Sequence, residues 1–218
     1  MTQLLWHFAR RLVYISASLL LVLPLATLTT LANAAPTHAA SKILVFGDSL
    51  SAAYGILQAD GWVNLLDKKL STKNIKVINA SISGETTSGG LSRIAATLKQ
   101  HQPNIVIIEL GANDGLQGLS IKQMQANLRG MITASLKAKS RVLLVGMNIP
   151  PNYGSAYQIA FRNTFPQLAR EYKVSLVPFL LDGIAGKPEL NQEDGIHPKA
   201  TSQPQLLENV WVFLKQLL

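Results

Sequence analysis

The sequence predicts an α/β protein, a three-layer α/β/α sandwich around a five-stranded parallel sheet. Short apolar runs rich in Val and Ile alternate along the chain with longer segments of helical periodicity, which is the pattern of parallel βα units. The strand-like runs are apolar throughout rather than at every second position, so helices should cover both faces of the sheet. Right-handed crossovers then favour the flavodoxin-like strand order 2-1-3-4-5.

Each element follows from its local sequence. Lys42–Phe46 (KILVF) is the first predicted strand, because it is a short apolar run that precedes a turn-forming Gly-Asp pair. The other predicted strands are Ile75–Asn79, Ile105–Leu110, Val142–Met147 and Val174–Val177. The predicted helices are Trp62–Leu70, about Ser88–Gln100, Ile121–Lys139, Tyr153–Tyr172 and Gln205–Leu218. Pro166 falls inside the fourth of these helices, where its missing N–H predicts a kink or a break.

The first 34 residues have the composition of an export signal rather than of the fold. Arg10 and Arg11 precede an apolar stretch that Pro24 interrupts, and Ala32-Asn33-Ala34 has the small-x-small pattern of a cleavage site. We therefore expect a signal peptide over residues 1–34, cleaved near Ala34-Ala35, a tail over 35–41 and one domain over 42–218. The expected location is periplasmic or secreted, without a stable membrane anchor after cleavage. An uncleaved anchor is the alternative, since the run approaches the length of a membrane span.

Composition excludes several classes of protein. The chain has 218 residues and no cysteine, so disulfides, thiolate catalysis and cysteine-based metal sites are absent. Its formal net charge of +8 falls to +6 without the first 34 residues, which carry two arginines and no acid. The remaining cations are scattered over predicted helices with no run of five or more. Nucleic-acid binding favours a basic stripe with interleaved aromatics, so we expect no nucleic-acid partner.

A serine and a histidine stand out at the predicted edge of the sheet. Ser49 follows the first strand in Gly47-Asp48-Ser49-Leu50-Ser51, where its hydroxyl can be exposed, although a helix-capping turn is the alternative. Among the four histidines, His7 lies in the export segment, His38 in the tail and His101 at a helix end. His197 remains as the candidate base. Asp194 precedes it by three residues across a glycine turn, so its carboxylate can orient the imidazole.

Two further loops offer hydrogen-bond donors for a developing oxyanion. Gly84, after the second strand, allows a backbone N–H to approach a substrate without a Cβ in the way. Asn113, after the third strand, carries a neutral amide donor. Each loop read singly is also compatible with a plain turn, because Gly, Asn and Asp dominate turns. Taken together, the candidates lie at or beside the carboxyl ends of consecutive strands, where α/β proteins place their sites.

These motifs resemble the four signature blocks of the GDSL or SGNH hydrolases, in order. The matching residues are Gly47-Asp48-Ser49-Leu50-Ser51, Gly84, Gly111-x-Asn113-Asp114 and Asp194-x-x-His197. The similarity covers nearly all of the predicted mature chain and is closest to the periplasmic thioesterase I, lysophospholipase and arylesterase branch.

The resemblance implies the SGNH hydrolase fold, with Ser49 as nucleophile, His197 as base and acid, and Asp194 as its orienter. It places the oxyanion hole at the N–H groups of Ser49 and Gly84 and the side chain of Asn113. It also implies hydrolysis of acyl esters and thioesters, such as aryl esters, lysophospholipids and acyl-CoA-like substrates, through an acyl-enzyme and without metal or cofactor. We expect a monomer.

Substrate contacts are expected in the loops over the site, with Leu116, Ile149 and Pro150 as the apolar candidates. The aromatic residues at Tyr153, Tyr157, Phe161 and Phe165 repeat at helical spacing, which is more typical of core packing than of a ligand groove. Glu109 ends an apolar strand, and we expect a buried, hydrogen-bonded carboxylate there. Two alternatives stay open: a carbohydrate O-acetyl esterase using the same residues, and a non-catalytic flavodoxin-like protein that binds phosphate or flavin.

Overall fold

The computed structural model describes residues 41–218 and contains one five-stranded parallel sheet of order 2-1-3-4-5, as predicted. All four strand pairs are parallel. The strands are β1 (Ser41–Gly47), β2 (Ile75–Asn79), β3 (Ile105–Glu109), β4 (Arg141–Val145) and β5 (Ser175–Val177). β1 lies between β2 and β3, so its carboxyl end opens beside the ends of both of these strands.

The strands hold their places because their side chains are buried on both sides. All five residues of β3 are buried, and so are the last five of β1. The edge strand β2 is less covered, since Lys76 and Asn79 are exposed and its other residues are half-buried. The expectation of apolar strands covered on both faces therefore holds for the central strands and is weaker at this edge.

Within residues 41–218, six α-helices flank the sheet and complete the three-layer sandwich that the sequence predicted. They are α1 (Trp62–Leu70), α2 (Thr87–His101), α3 (Ala112–Leu116), α4 (Ile121–Lys137), α5 (Ser155–Tyr172) and α6 (Gln203–Leu214). α1 packs against α6, whereas α4 packs against both α2 and α5. The buried side chains of the helices and the strands form one hydrophobic core, which fixes the sheet edge that carries the polar motifs.

The observed helices differ from the predicted ones in several details. Pro166 does not break α5, which runs through it, because Phe161, Phe165 and Leu168 anchor the helix in the core on both sides of the proline. The last helix ends at Leu214, and a 3-10 turn follows. The short helix α3 was not predicted, since its residues ANDGL are also typical of a turn.

The predicted signal peptide over residues 1–34 lies outside the described residues, as does most of the predicted tail. Residue 41, the last position assigned to that tail, is the first residue of β1. No helix within residues 41–218 is long and apolar enough to cross a membrane.

Candidate active site

Ser49 lies on a tight turn immediately after β1. The carboxylate of Asp48 accepts a hydrogen bond from the N–H of Leu50 at 3.0 Å, and the N–H of Ala52 bonds to the carbonyl of Asp48 at 2.9 Å. These two bonds close the turn and leave the side chain of Ser49 half-buried at the edge of the sheet. The local sequence thus fixes the hydroxyl at the point where β1 ends.

His197 reaches Ser49 from the last loop before α6. The Nε2 of His197 lies 2.8 Å from the Oγ of Ser49, and its Nδ1 lies 2.6 Å from Oδ2 of Asp194. The second carboxylate oxygen of Asp194 accepts the N–H groups of Ile196 and His197, at 2.9 and 3.0 Å. Gly195 adopts a φ of 71°, which allows the tight turn that brings carboxylate and imidazole together.

The turn around His197 lowers the pKa of Asp194. Partial burial of Asp194 disfavours its charged form, but the N–H and ring of His197 and the N–H of Ile196 outweigh this effect. Together they lower the pKa of Asp194 from 3.8 to about 2. The carboxylate is therefore ionised at neutral pH, and its Oδ2 can accept the Nδ1 proton of His197. Nε2 is then free to accept the proton of the Ser49 hydroxyl.

Two backbone N–H groups are available where an oxyanion would form. Within residues 41–218, neither the N–H of Ser49 nor that of Gly84 donates a hydrogen bond. Both residues line one cavity, together with His197 and Asn113. Gly84 has a φ of 78°, and a Cβ built on it would meet no atom within 4 Å. Its backbone therefore faces open space in a conformation that favours glycine.

Asn113 lies on α3, and two neighbouring elements hold this helix in place. Asp114, the next residue, accepts the N–H of Thr87 at 2.8 Å and its hydroxyl at 2.5 Å, so α3 is tied to the start of α2. The Nδ2 of Asn113 donates to the carbonyl of Glu85 at 3.0 Å. It also contacts Oδ2 of Asp48 at 3.3 Å. The amide nitrogen thus lies between the two loops that follow β1 and β2.

Two buried acids lie beneath the turn that carries Ser49. Burial and the nearby charges of Glu85 and Asp114 raise the pKa of Asp48 from 3.8 to about 7, against the opposing effect of the Leu50 N–H. Burial and the charge of Asp48 raise the pKa of Glu109 well above 4.5. Oε2 of Glu109 accepts the hydroxyl of Ser51 at 2.7 Å and the N–H of Asp48 at 3.3 Å. The buried, hydrogen-bonded carboxylate predicted at Glu109 is present.

A largely apolar cavity of about 690 Å³ opens beside Ser49 and His197. Leu116, Ile149 and Pro150, the three residues predicted to contact substrate, all line it. The sequence did not indicate several other lining residues that come from distant loops: Tyr54, Met147, Phe179, Leu181, Ala185 and Ile196. These residues carry no motif, and only the packing of the sheet brings them together.

The aromatic residues of α5 belong to the packing rather than to the cavity. Phe161 and Phe165 are buried and meet edge to face, with centroids 5.6 Å apart. The hydroxyl of Tyr153 donates to the carbonyl of Leu116 and that of Tyr157 to the carbonyl of Leu119, both at 2.7 Å. Tyr153 lies on the 3-10 turn before α5, and Tyr157 lies on α5 itself. Their bonds tie the end of α3 and the loop after it to the start of α5, and core packing is the better description of the aromatic repeat.

Tyr54 and Gln192 support His197, and sequence reasoning missed both. The ring of Tyr54 lies over the imidazole of His197, with centroids 4.5 Å apart. The side-chain amide of Gln192 donates to the carbonyl of Tyr54 at 2.9 Å, and its backbone N–H donates to the carbonyl of His197 at 2.7 Å. Gly55 leaves room for this side chain, since a Cβ there would lie 2.1 Å from Oε1 of Gln192.

A serine hydroxyl, an imidazole and a carboxylate in hydrogen-bonded series, at the carboxyl edge of a parallel sheet, define a serine hydrolase. Within residues 41–218 no group of three or more His, Asp or Glu side chains could hold a metal ion. The sequence profile described as the GDSL-like Lipase/Acylhydrolase family matches residues 45–203. The chain belongs to this family, and it is an enzyme that hydrolyses ester bonds.

Named relatives agree with this assignment. The chain is 48% identical to esterase TesA of Pseudomonas aeruginosa over 182 residues, which are 83% of this chain and 90% of that protein. It is 43% identical to the arylesterase of Vibrio mimicus over 178 residues, 81% of this chain and 89% of that protein. It is 44% identical to thioesterase 1/protease 1/lysophospholipase L1 of Escherichia coli K12 over 166 residues, 76% and 79% of the two chains.

Solved structures are similar in fold as well as in sequence. The crystal structure of TesA superposes with a TM-score of 0.79 at 47% identity and covers 82% of this chain and 100% of that one. The psychrotrophic esterase EstA from Pseudoalteromonas sp., inhibited by monoethylphosphonate, superposes with a TM-score of 0.77 at 43% identity. It covers 81% of this chain and 97% of that one.

Proposed function

We propose that this enzyme hydrolyses acyl esters and thioesters through a covalent acyl-enzyme on Ser49, with His197 as general base and acid and Asp194 as its orienter. The observation that carries the proposal is the hydrogen-bonded series from Ser49 through His197 to Asp194, with distances of 2.8 and 2.6 Å. Such a series lets a neutral imidazole take the hydroxyl proton while the carboxylate stabilises the imidazolium that forms.

The reaction proceeds in two halves. Nε2 of His197 accepts the proton of Ser49 as Oγ attacks the carbonyl carbon, and the carbonyl oxygen becomes an oxyanion. The N–H groups of Ser49 and Gly84 and the amide of Asn113 stabilise this charge. His197 then returns the proton to the leaving alcohol or thiol, which leaves an ester on Ser49. A water, deprotonated by His197, attacks that ester and releases the acid by the same steps.

The cavity favours substrates with an apolar acyl chain. Its volume of about 690 Å³ and its lining by Leu116, Ile149 and Pro150 suit a chain of several carbons rather than an acetyl group. The names of the relatives include arylesterase, thioesterase and lysophospholipase. Aryl esters, lysophospholipids and acyl-CoA-like thioesters are accordingly the proposed substrates. A carbohydrate O-acetyl esterase would leave most of this apolar surface unused.

Export is the second part of the proposal. The cationic start, the apolar stretch and the Ala32-Asn33-Ala34 tripeptide support a signal peptide cleaved near Ala35, and hence a periplasmic or secreted monomer without a stable membrane anchor. N-terminal sequencing of the protein recovered from the periplasm tests this part. An N-terminus at Met1 in the membrane fraction would overturn it.

The reaction is tested with a serine pair. Ser49→Ala should abolish hydrolysis of p-nitrophenyl acetate and octanoate, whereas Ser51→Ala, on the same turn but turned towards Glu109, should retain it. An alkylphosphonate ester should add to Ser49 alone, as read by mass spectrometry of both variants. Retained hydrolysis in Ser49→Ala would refute the assignment. Bound flavin or phosphate without ester hydrolysis in the unmodified protein would instead support the flavodoxin-like alternative.

A further inference from the structure

The amide nitrogen of Asn113 already has two acceptors before any substrate binds. Nδ2 donates to the carbonyl of Glu85 at 3.0 Å and to Oδ2 of Asp48 at 3.3 Å. An amide nitrogen carries two hydrogens, so each acceptor engages one of them. The bond to Asp48 is the longer and weaker one, so an oxyanion can share its hydrogen with Oδ2.

Asp48 is itself held in one orientation. Its Oδ1 accepts the N–H of Leu50 at 3.0 Å within the turn, and its N–H is fixed by Glu109 at 3.3 Å. The residue is only 1% exposed, so solvent does not reach its second carboxylate oxygen. Above about pH 7, where Asp48 is ionised, Oδ2 therefore faces Asn113 as a fixed acceptor, and a buried acceptor left without a donor is costly.

We propose that Asp48 is a positioning residue that sets the orientation of the Asn113 carboxamide, so that Nδ2 rather than Oδ1 faces the oxyanion. The two ends of the Asn side chain differ only in hydrogen bonding, and both acceptors that surround Nδ2 demand a donor there. With the amide reversed, Oδ1 would face Asp48, the Glu85 carbonyl and the oxyanion together. The inference rests on the proposed role of Asn113 as an oxyanion donor.

Replacing Asp48 by asparagine turns this acceptor into a donor. In Asp48→Asn the N–H of Leu50 keeps the side-chain oxygen at the Oδ1 position, so the new NH₂ group falls on the Oδ2 position. Two donors then oppose each other across the contact with Asn113, and its amide either shifts away or reverses with loss of the bond to the Glu85 carbonyl. The donor is thereby removed from the oxyanion hole, although Asn113 itself is unchanged.

A double-mutant cycle with p-nitrophenyl butyrate tests this coupling at about pH 8.5, above the pKa of about 7 of Asp48. Asn113→Ala should lower kcat by about 10²–10³-fold, the cost of one oxyanion donor. Asp48→Asn should lower kcat by about 10²-fold with KM within about twofold, because the oxyanion exists only in the transition state. In the double variant the loss should stay within about threefold of Asn113→Ala alone, since both changes remove the same donor.

Glu109→Gln is the matched control, because it makes the same acid-to-amide change next to Asp48. Ser51 and the Asp48 N–H keep the oxygen of the new side chain, and its NH₂ falls on the Oε1 position, which has no partner within residues 41–218. The factor by which Glu109→Gln changes kcat should multiply with the factor for Asn113→Ala in the double variant. If Asp48→Asn fails to fold, Asp48→Ser replaces it in the double-mutant cycle. Its loss of kcat should be smaller, because no amide donor then opposes Asn113.

The outcomes separate this inference from the proposed function. If Asn113→Ala keeps full activity, the proposed oxyanion hole is wrong and the role of Asp48 falls with it. If Asn113→Ala loses activity and the loss in Asp48→Asn multiplies with it in full, the hole stands and the positioning role of Asp48 is overturned. A change in KM without a change in kcat would overturn it as well.

Discussion

Nε2 of His197 and Oγ of Ser49 lie 2.8 Å apart although 148 residues separate them in the chain. The contact joins the turn after β1 to the loop before α6, so both ends of the domain must be packed before the site exists. Asp194, in contrast, lies three residues from His197 and reaches it within one turn. The short-range contact between Asp194 and His197 leads to the first prediction.

Asp194→Asn should lower kcat by roughly 10³–10⁴-fold, because it reverses the tautomer of His197. The N–H groups of Ile196 and His197 would hold the new amide oxygen, so its NH₂ would donate to Nδ1. The ring proton then moves to Nε2, which can no longer accept the proton of Ser49. Steady-state kinetics with p-nitrophenyl butyrate measures the loss, and Asp60→Asn, on an exposed 3-10 turn, is the control. A loss below about tenfold would refute the role of Asp194.

The sequence predicts those parts of the site that depend on short motifs. The Gly195 turn between Asp194 and His197 follows from local spacing, and elimination among four histidines leaves His197 as the base. The strands were located because apolar runs are local signals, and the strand order follows from the handedness of crossovers. Their ends are shifted by one or two residues, as at β4, since side-chain pattern does not determine where pairing stops.

The sequence does not show contacts that arise only when distant loops meet. Tyr54 lies over His197 because Gln192 bonds to its carbonyl, and neither residue belongs to a recognisable motif. The helix α3 is held by Asp114 against Thr87, a contact across 27 residues. Local propensity gave no signal for that helix, because it has only five residues, among them Asn, Asp and Gly.

Gly84→Ala should weaken catalysis more than it weakens the fold. Its φ of 78° makes any side chain strained, by about 1–2 kcal/mol, although a Cβ would meet no atom within 4 Å. Relief of that strain rotates the N–H away from the oxyanion, so kcat should fall at least about tenfold. Gly183→Ala is the matched control, with a φ of 76° and the same open space. Equal activity losses in the two variants, at equal shifts in Tm, would contradict the role of the Gly84 N–H.

The buried carboxyl of Asp48 should make the protein less stable as the pH rises from about 4 to about 7. Its pKa is about 7 in the folded state against an ordinary value of 3.8, so in this range the folded state binds a proton that the unfolded state releases. The free energy of unfolding therefore falls with rising pH, by on the order of a few kcal/mol. Asp48→Asn removes this group.

Denaturation with urea at pH values below and above this range measures the effect. The donor conflict with Asn113 lowers the stability of Asp48→Asn equally at every pH, so its stability relative to the unmodified protein should rise between about pH 4 and about pH 7. The same variant should lose activity, as argued from its contact with Asn113. A variant that is destabilised by the same amount at every pH would contradict the buried ionisation, because a packing defect alone has no such pH dependence.

Tyr54→Leu should lower kcat by about 2–5-fold, whereas Tyr54→Phe should retain it. The ring lies 4.5 Å from the imidazole, and an aromatic face stabilises the imidazolium that forms in the transition state by about 0.5–1 kcal/mol. The phenylalanine variant keeps the ring and loses only the hydroxyl. Kinetics of both variants with one short ester separates the two groups, and an equal loss in Tyr54→Phe would assign the effect to the hydroxyl instead.

Ile149→Ala should reduce activity on long acyl chains and spare short ones. Ile149 lines the apolar cavity next to Gly115, where a Cβ would lie 2.5 Å from its Cγ2, so its position is fixed by close packing. Loss of its apolar surface should lower kcat/KM for p-nitrophenyl octanoate by about 5–10-fold. The methylenes of the acyl chain that lose contact account for this, because their burial contributes roughly 1 kcal/mol or more to transition-state binding. The acetate ester does not reach this surface, so its kcat/KM should stay within about twofold. Ile159→Ala, on the exposed side of α5, should change neither substrate. Equal losses on both esters would place the acyl chain elsewhere and restore the acetyl esterase alternative, because the cavity would then contribute nothing that depends on chain length.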